Sequence, residues 1–209
     1  MVKNTNPIGP SVGVMMKFPQ PGEVKTRLGK IIGMNSAAEF YAGAVAWLLE
    51  RLRSHRIRTV IFYTPKGCEE KLRAMYQLPE SIPLVPQSGE DLGDRIHHSL
   101  SWMNRRDQYY PCVIGSDSPD LPVERIERAH RLMKNGEKLI LGPAEDGGYY
   151  LVGCSPVQRR YFQGIDWSTS RVLEQTIERA QELVVTPCKL SPWRDIDTLE
   201  DLMDRLPEY

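Results

Sequence analysis

The chain has 209 residues, 41% apolar and 26% charged, enough for one α/β domain spanning 1–209 whose core buries about 70% of the extended surface. Lys plus Arg and Asp plus Glu are 27 each, so the formal net charge is zero, which speaks against a dedicated nucleic-acid binder. The composition is too apolar for a disordered chain, and no apolar run reaches bilayer length. Met1 to Pro10 contains no apolar h-region, so a secretory signal is not expected and the expected location is the cytoplasm. Cys68, Cys112, Cys154 and Cys188 are far apart with no C-x-x-C pair, which reads as reduced core or surface thiols. The adjacent His97 and His98 diverge by roughly 100° on a helix, which gives them no metal role.

In chain order, Val12 to Met16 reads as a buried strand. Asn35-Ser36 reads as a cap for a helix carrying the stripe Tyr41, Ala44, Val45, Leu48 and Leu52. Thr59 to Tyr63 is a second strand, Glu69 to Tyr76 a short helix and Ile82 to Val85 a third strand. Leu92, Ile96, Leu100 and Met103 mark the apolar face of the next helix, and Cys112 to Gly115 a fourth strand. Pro122 reads as the first-turn proline of a helix with Ile126, Ala129 and Met133 on its apolar face, stopped by Asn135-Gly136. Lys138 to Gly142 and Tyr149 to Gly153 are two further strands. Val172, Leu173, Ile177 and Ala180 mark a long helix, and Thr198 to Leu206 a terminal one. Strands alternating with helices predict a mostly parallel sheet covered on both faces, with ligands at the carboxyl ends of the strands.

The unusual residues fall in the loops after strands. Lys17 to Leu28 has two prolines and Gly22, which specify an irregular loop, and presents Lys17, Lys25 and Arg27 with Thr26 between the last two. Cations in a first βα loop suit a di- or triphosphate, Arg as a fork and Lys as a point charge; a solvated basic loop is the competing reading. It is not a Walker A loop, because Val24 stands where that motif needs Gly. Gly115 to Asp120 ends the fourth strand, and Asp117 there can hold a hard divalent cation. Asp120 is read as capping or charging the next helix, and Ser116 lacks the glycine spacing of a nucleophile elbow. Gly142 to Tyr150 pairs Glu145 and Asp146 with Gly147, Gly148, Tyr149 and Tyr150, suited to hydrogen-bond and stack on a sugar or acceptor; a hairpin turn with its acids in water competes. One of Asp195 and Asp197, before the last helix, can complete a metal site with Asp117; the competing reading is a helix cap, which Asp197 could serve as easily as Thr198. Gln87 can read a base through its amide or sit in a capped helix start, and Trp167-Ser168-Thr169 precedes a helix N-terminus that can take a phosphate or hydroxyl.

Together these segments, from Val14 to Leu202, resemble a family of nucleotide-diphospho-sugar glycosyltransferases with the GT-A fold, a single-domain three-layer α/β/α architecture; one branch of the family is assigned to arsenosugar biosynthesis. The residues that carry the resemblance are the Lys-Thr-Arg-Leu loop, the Gly-Ser-Asp-Ser-Pro-Asp-Leu turn, the Gly-Pro-Ala-Glu-Asp-Gly-Gly-Tyr stretch, the Trp-Ser-Thr and the Asp-Ile-Asp-Thr ending. The layout is also similar to small guanylyltransferases of molybdenum-cofactor and deazaflavin-cofactor synthesis. That resemblance implies phosphate contacts from Lys25 and Arg27, Mg²⁺ or Mn²⁺ at Asp117 and Asp197, and a base-reading Gln87. The chain departs from these relatives in lacking a glycine-rich first loop, in spacing Asp117 and Asp120 three apart rather than as Asp-x-Asp, and in Leu199 where they often carry Pro.

The expected activity is metal-dependent glycosyl transfer from a nucleotide sugar to a small-molecule acceptor. Lys17, Gly22, Lys25, Thr26, Arg27, Gln87 and Asp117 would hold the nucleotide, Glu145 or Asp146 would act as base, and Gly147, Gly148, Tyr149, Trp167, Ser168 and Thr169 would shape the acceptor pocket. Nucleotidyl transfer from a nucleoside triphosphate with pyrophosphate release, and a non-catalytic nucleotide binder, are the alternatives; nucleic acid and a membrane span are not expected partners.

Overall fold

The computed structural model describes residues 9–106, 110–194 and 200–201. Its elements are β1 (Ser11–Lys17), α1 (Thr26–Ile32), α2 (Met34–Ser54), β2 (Arg58–Thr64), α3 (Glu69–Tyr76), β3 (Leu84–Pro86), α4 (Leu92–Arg105), β4 (Cys112–Gly115), α5 (Val123–Lys134), β5 (Leu139–Pro143), β6 (Tyr149–Cys154), a 3-10 turn (Arg159–Phe162), α6 (Val172–Glu182) and β7 (Cys188–Lys189). The seven strands form one sheet in the order β3-β2-β1-β4-β6-β5-β7. All pairings are parallel except those of β6, which runs antiparallel to both β4 and β5.

Strand periodicity of two sends successive side chains to opposite faces, and both faces are apolar. Val12 and Val14 of β1, Cys112 and Ile114 of β4 and Ile140 of β5 pack under Leu48 and Leu52 of α2 and Ile126, Ala129 and Met133 of α5. On the same side, Met16, Ile61 and Tyr63 meet Tyr41 and Val45 of α2 and Leu72 of α3. The intervening residues, Val60, Phe62, Val113, Leu139, Leu141 and Val152, face Ile96, Leu100 and Met103 of α4 and Ala180 of α6. The result is three layers, α/β/α, with the helices α2, α3 and α5 opposite α4 and α6. Gly13 is needed in β1 for space: a Cβ there would lie 2.7 Å from the Phe62 ring and 2.9 Å from Val113.

Several boundaries differ from the expectation. The stretch after β1 is not loop throughout: Thr26 opens α1, a helix whose amphipathic signal is too short to show as a stripe. Asn35 and Ser36 lie inside α2, whose N-cap is Gly33 at φ +92, a conformation open to glycine. Pro122 occupies the N-cap of α5 rather than its first turn, so Asp120 stands outside the helix and is not its cap. Leu92 does not join the apolar face of α4 and is 43% exposed. The third strand begins at Leu84 rather than Ile82, and β7 is two residues long, below what patterning can reveal. The four cysteines are free thiols, as expected. Among the described residues no helix is long and apolar enough to cross a membrane. The expected terminal helix from Thr198 to Leu206 falls mostly outside the described residues.

Candidate nucleotide-binding site

A cavity of about 670 Å³ opens where β1 and β4 end and β6 begins, the switch region of the sheet. Lys17, Lys25, Thr26, Arg27, Gln87, Asp117, Asp146, Gly148, Tyr149, Trp167, Ser168 and Thr169 all line it. These positions span the whole chain, and the topology gathers them because each follows or precedes a central strand. Gly22, Glu145 and Gly147 do not line it, and Asp195 and Asp197 lie outside the described residues.

Lys25 is the N-cap of α1 and adopts a left-handed backbone, φ 45 and ψ 43. This conformation is uncommon for a residue with a side chain and marks local strain held by its surroundings. Its ammonium lies 2.6 Å from Oδ1 of Asp117, with the Lys25 side chain 3% exposed and that of Asp117 47% exposed. Arg27, one residue into α1, is exposed and faces the same space. Lys17 donates from Nζ to the carbonyl of Glu23 at 3.3 Å, tying the cation to its own loop.

The strand ends are braced by Tyr41 from α2. Its hydroxyl accepts the backbone N–H of Lys17 at 3.0 Å and shares a 2.7 Å hydrogen bond with Ser116 Oγ. Burial, then the charge of Asp117, push the Tyr41 phenol up to about 12, so it stays protonated at neutral pH. In the sequence Tyr41 reads as one member of a core stripe; the usable signal is that a buried tyrosine hydroxyl needs a partner.

The β5–β6 connection is a hairpin, in agreement with the competing structural reading, yet it also forms a wall of the cavity. Ala144 and Gly148 close the turn, and Asp146 Oδ1 accepts the N–H of Gly148 at 2.9 Å. Of the two acids, Asp146 faces the cavity and Glu145 does not, since adjacent residues in a turn project in different directions. Gly147, at φ +87, supports the wall from behind: its carbonyl accepts Leu173 N–H at 2.9 Å, and a Cβ would lie 2.1 Å from the carbonyl oxygen of Ser170. Tyr149 and Trp167 meet edge to face, centroids 6.4 Å apart, on the same side. Ser168 is left-handed at φ 66, and Thr169 donates to the carbonyl of Asp166 at 2.7 Å, so this segment is a tight turn placed before α6, which starts at Val172. Tyr150 also lines the cavity, and its hydroxyl accepts from Arg125 and donates to the carbonyl of Ser191.

At the other end, Asp91 caps α4 by accepting Asp94 N–H at 2.7 Å, the capped helix start that the sequence allows. Gln87 nevertheless reaches the cavity. Its Nε2 donates to the carbonyls of Phe62 at 2.9 Å and Met16 at 3.2 Å. Leu92 and Arg95 also line this end, and neither was singled out by sequence as a site residue.

Among the described residues no three His, Cys, Asp or Glu side chains gather as a metal cage. A hard cation at Asp117 would take that carboxylate and draw its remaining ligands from phosphate and water, which is the habit of Mg²⁺. Asp117 is half exposed and its Oδ1 is engaged by the Lys25 ammonium at 2.6 Å, so Oδ2 is the oxygen that would meet such an ion.

Residues 48–169 match the family described as "Uncharacterized protein conserved in bacteria (DUF2064)". A structure from Desulfovibrio desulfuricans G20, provisionally assigned as a nucleotide-diphospho-sugar transferase, is 32% identical, with TM-score 0.85 over 92% of this chain and 84% of that one. The chain belongs to the DUF2064 family. Two more distant structures share the fold with this DUF2064 chain. A cytidylyltransferase from Leptospira borgpetersenii is 12% identical, with TM-score 0.58 over 93% of this chain and 84% of that one. The 4-diphosphocytidyl-2C-methyl-D-erythritol synthase of Anaerococcus prevotii is 8% identical, with TM-score 0.57 over 94% and 97%. No curated protein matches this DUF2064 sequence.

Proposed function

We propose that the protein transfers a glycosyl group from a nucleotide-diphospho-sugar to a hydroxyl of a small-molecule acceptor. The observation that carries this reading is the convergence of Lys25, Arg27 and Asp117 on one cavity that Asp146, Tyr149 and Trp167 also line. The 32% identical relative, provisionally assigned as a nucleotide-diphospho-sugar transferase, supports the same class. The resemblance to the arsenosugar branch is why a small acceptor is proposed rather than a polymer.

Lys25 and Arg27 hold the diphosphate and stabilise the charge that builds on it as it leaves. Asp117, with Asp197 as proposed second ligand, would hold Mg²⁺ or Mn²⁺. When bound, that ion supplies Lewis-acid neutralisation of the diphosphate. Tyr149 and Trp167 wall the sugar and acceptor side. In the transfer, the bond from the anomeric carbon to the diphosphate oxygen breaks and a bond from the acceptor oxygen to that carbon forms. The acceptor proton passes to the Asp146 carboxylate, which its hydrogen bond from Gly148 N–H orients.

The test is product identity with a panel of nucleotide sugars, nucleoside triphosphates and small polyols, with Mg²⁺ or Mn²⁺ present. Release of nucleoside diphosphate is expected. Release of pyrophosphate from a triphosphate would replace this reading by nucleotidyl transfer. Metal-independent tight nucleotide binding with no turnover on any acceptor would replace it by a non-catalytic binder.

A further inference from the structure

The chain goes on following β5 after β7 has ended. Leu190 N–H donates to the Leu141 carbonyl at 2.8 Å. After a gap, Trp193 N–H donates to the Pro143 carbonyl at 3.0 Å, and the Trp193 carbonyl accepts Glu145 N–H at 3.2 Å. The gap is Ser191-Pro192, where proline has no N–H to give the ladder. Arg125, on the first turn of α5, serves the carbonyls at this gap. Its Nη1 donates to the Ser191 carbonyl, to the Pro192 carbonyl at 3.2 Å and to the Tyr150 hydroxyl at 2.9 Å, so two N–H groups are shared among three acceptors. The Tyr150 hydroxyl in turn donates to the Ser191 carbonyl at 3.1 Å. The guanidinium carbon lies 4.7 Å from the centre of the Trp193 ring and 5.5 Å from that of Tyr150, within cation–π range of both. Gly142 leaves room for this arrangement, because a Cβ there would lie 2.4 Å from the Tyr150 ring.

Arg125 does not line the cavity, but the strap it holds, residues 191–193, supports a wall that does. The strap meets the β5–β6 hairpin at Ala144 and Glu145, and the next residue is Asp146. A planar guanidinium can satisfy stranded carbonyls and lie against two rings at once, which the point charge of a lysine cannot reproduce. We propose that Arg125 is a positioning residue for the transfer: it clamps the strap 191–193 against β5 and so fixes the hairpin where the Asp146 carboxylate faces the acceptor. This inference rests on the transferase reading above and adds to it a residue outside the cavity that acts through the base.

Amide hydrogen exchange on the full chain, with no ligand added, reads the clamp by itself. Arg125→Met should speed exchange at Trp193 and Glu145 by at least about tenfold and leave the N–H groups of β1 and β2 as protected as before. Arg125→Lys should recover only part of that protection, since it keeps the charge and loses the fork. Kinetics with the nucleotide sugar and acceptor found in the product assay read the consequence. Arg125→Met should lower kcat by about 10–10²-fold, the scale of a reacting group displaced by about 1 Å, with KM for the nucleotide sugar unchanged. In an Asp146→Asn background the same substitution should cost nothing further, because the group it positions no longer takes a proton. Unchanged exchange at Trp193 and Glu145, or acceleration spread equally through β1 and β2, would overturn the clamp. A full further loss of kcat in the Asp146→Asn background, or a rise in KM that accounts for the loss, would overturn its action through Asp146. An unaltered protein that turns over no nucleotide sugar would instead sink the transferase reading and the role of Asp146 with it, and the exchange result would still decide whether Arg125 holds the strap.

Discussion

At Lys25 two demands meet in one residue: a left-handed backbone that favours glycine, and a buried ammonium 2.6 Å from Asp117 that only a cationic side chain provides. The two demands can be separated by mutation. Lys25→Gly and Lys25→Ala both remove the cation, so both should lower turnover by about 10²–10³-fold, the usual loss for one key electrostatic donor. Only alanine keeps the backbone strain, so Lys25→Gly should be more stable than Lys25→Ala by about 1 kcal/mol in urea denaturation. Equal stabilities would show that the strain at this position is not carried by the backbone. The acids of the β5–β6 turn allow a similar separation. Asp146→Asn keeps the Oδ1 acceptor for Gly148 N–H but cannot take a proton, so turnover should fall by about 10²–10⁴-fold with the fold intact. Glu145→Gln, outside the cavity, should leave turnover unchanged; a loss there equal to that of Asp146→Asn would move the base to the other acid. At this scale the sequence was readable where a residue type is unusual for its place, as with Lys25, Arg27 and Asp117 around prolines and strand ends. It was silent where the site uses a residue that packs as well as it reacts. Tyr41 sits at a position that also satisfies a helix stripe, whereas Leu92 lies off the buried face of α4 and Arg95 looks like any charge on a helix surface.

The elements were legible wherever an apolar period repeats over several turns or a full strand, because burial on both faces of the sheet leaves Val12, Val14, Val60, Phe62 and Val113 no polar alternative. α1 and β7 were not legible, since a seven-residue helix and a two-residue strand contain too little period to recognise, and their positions depend on tertiary contacts. The antiparallel direction of β6 was likewise hidden, although the Glu145 to Gly148 turn that causes it was visible as a glycine hairpin. That turn is where element packing controls the site. Gly147 lets the hairpin rest on the segment before α6, so the wall carrying Asp146 and Tyr149 and the wall carrying Trp167 are one rigid contact. Gly147→Ala places a Cβ against the Ser170 carbonyl, backbone on backbone, and adds the strain of φ +87. The expected cost is about 2 kcal/mol or more in denaturant unfolding, with nucleotide-sugar affinity reduced as the walls separate. Gly148→Ala meets only the end of the Asp146 side chain, at 3.2 Å, and should cost clearly less. Comparable losses from the two substitutions would remove the argument that Gly147 is the anchor.

For the molecule as a whole, burial sets the titration of several neutral groups in the layers away from the cavity. Burial pushes the thiols of Cys112 and Cys154 up to about 12, which makes both inert to alkylation in the native protein. The histidines behave in the same sense. His130, at the opposite end of β1 and β4 from the cavity, has its pKa lowered chiefly by burial, although its hydrogen bond to the Ser11 carbonyl works the other way. His97 and His98 on α4 are also lowered, first by burial and then by neighbouring arginines. Each therefore stays neutral in the folded chain at a pH where the unfolded chain, with an ordinary value of about 6.5, already binds a proton. Between the lowered folded value and about 6.5 the unfolded state holds more protons, so the free energy of unfolding rises with pH there. The contribution is complete above that window and is lost as pH falls through it. The melting temperature should consequently drop as pH falls below about 6.5 at constant ionic strength. His130→Gln, which retains a polar group near the Ser11 backbone and cannot charge, should flatten that drop, and an unchanged slope would assign it to groups other than this histidine.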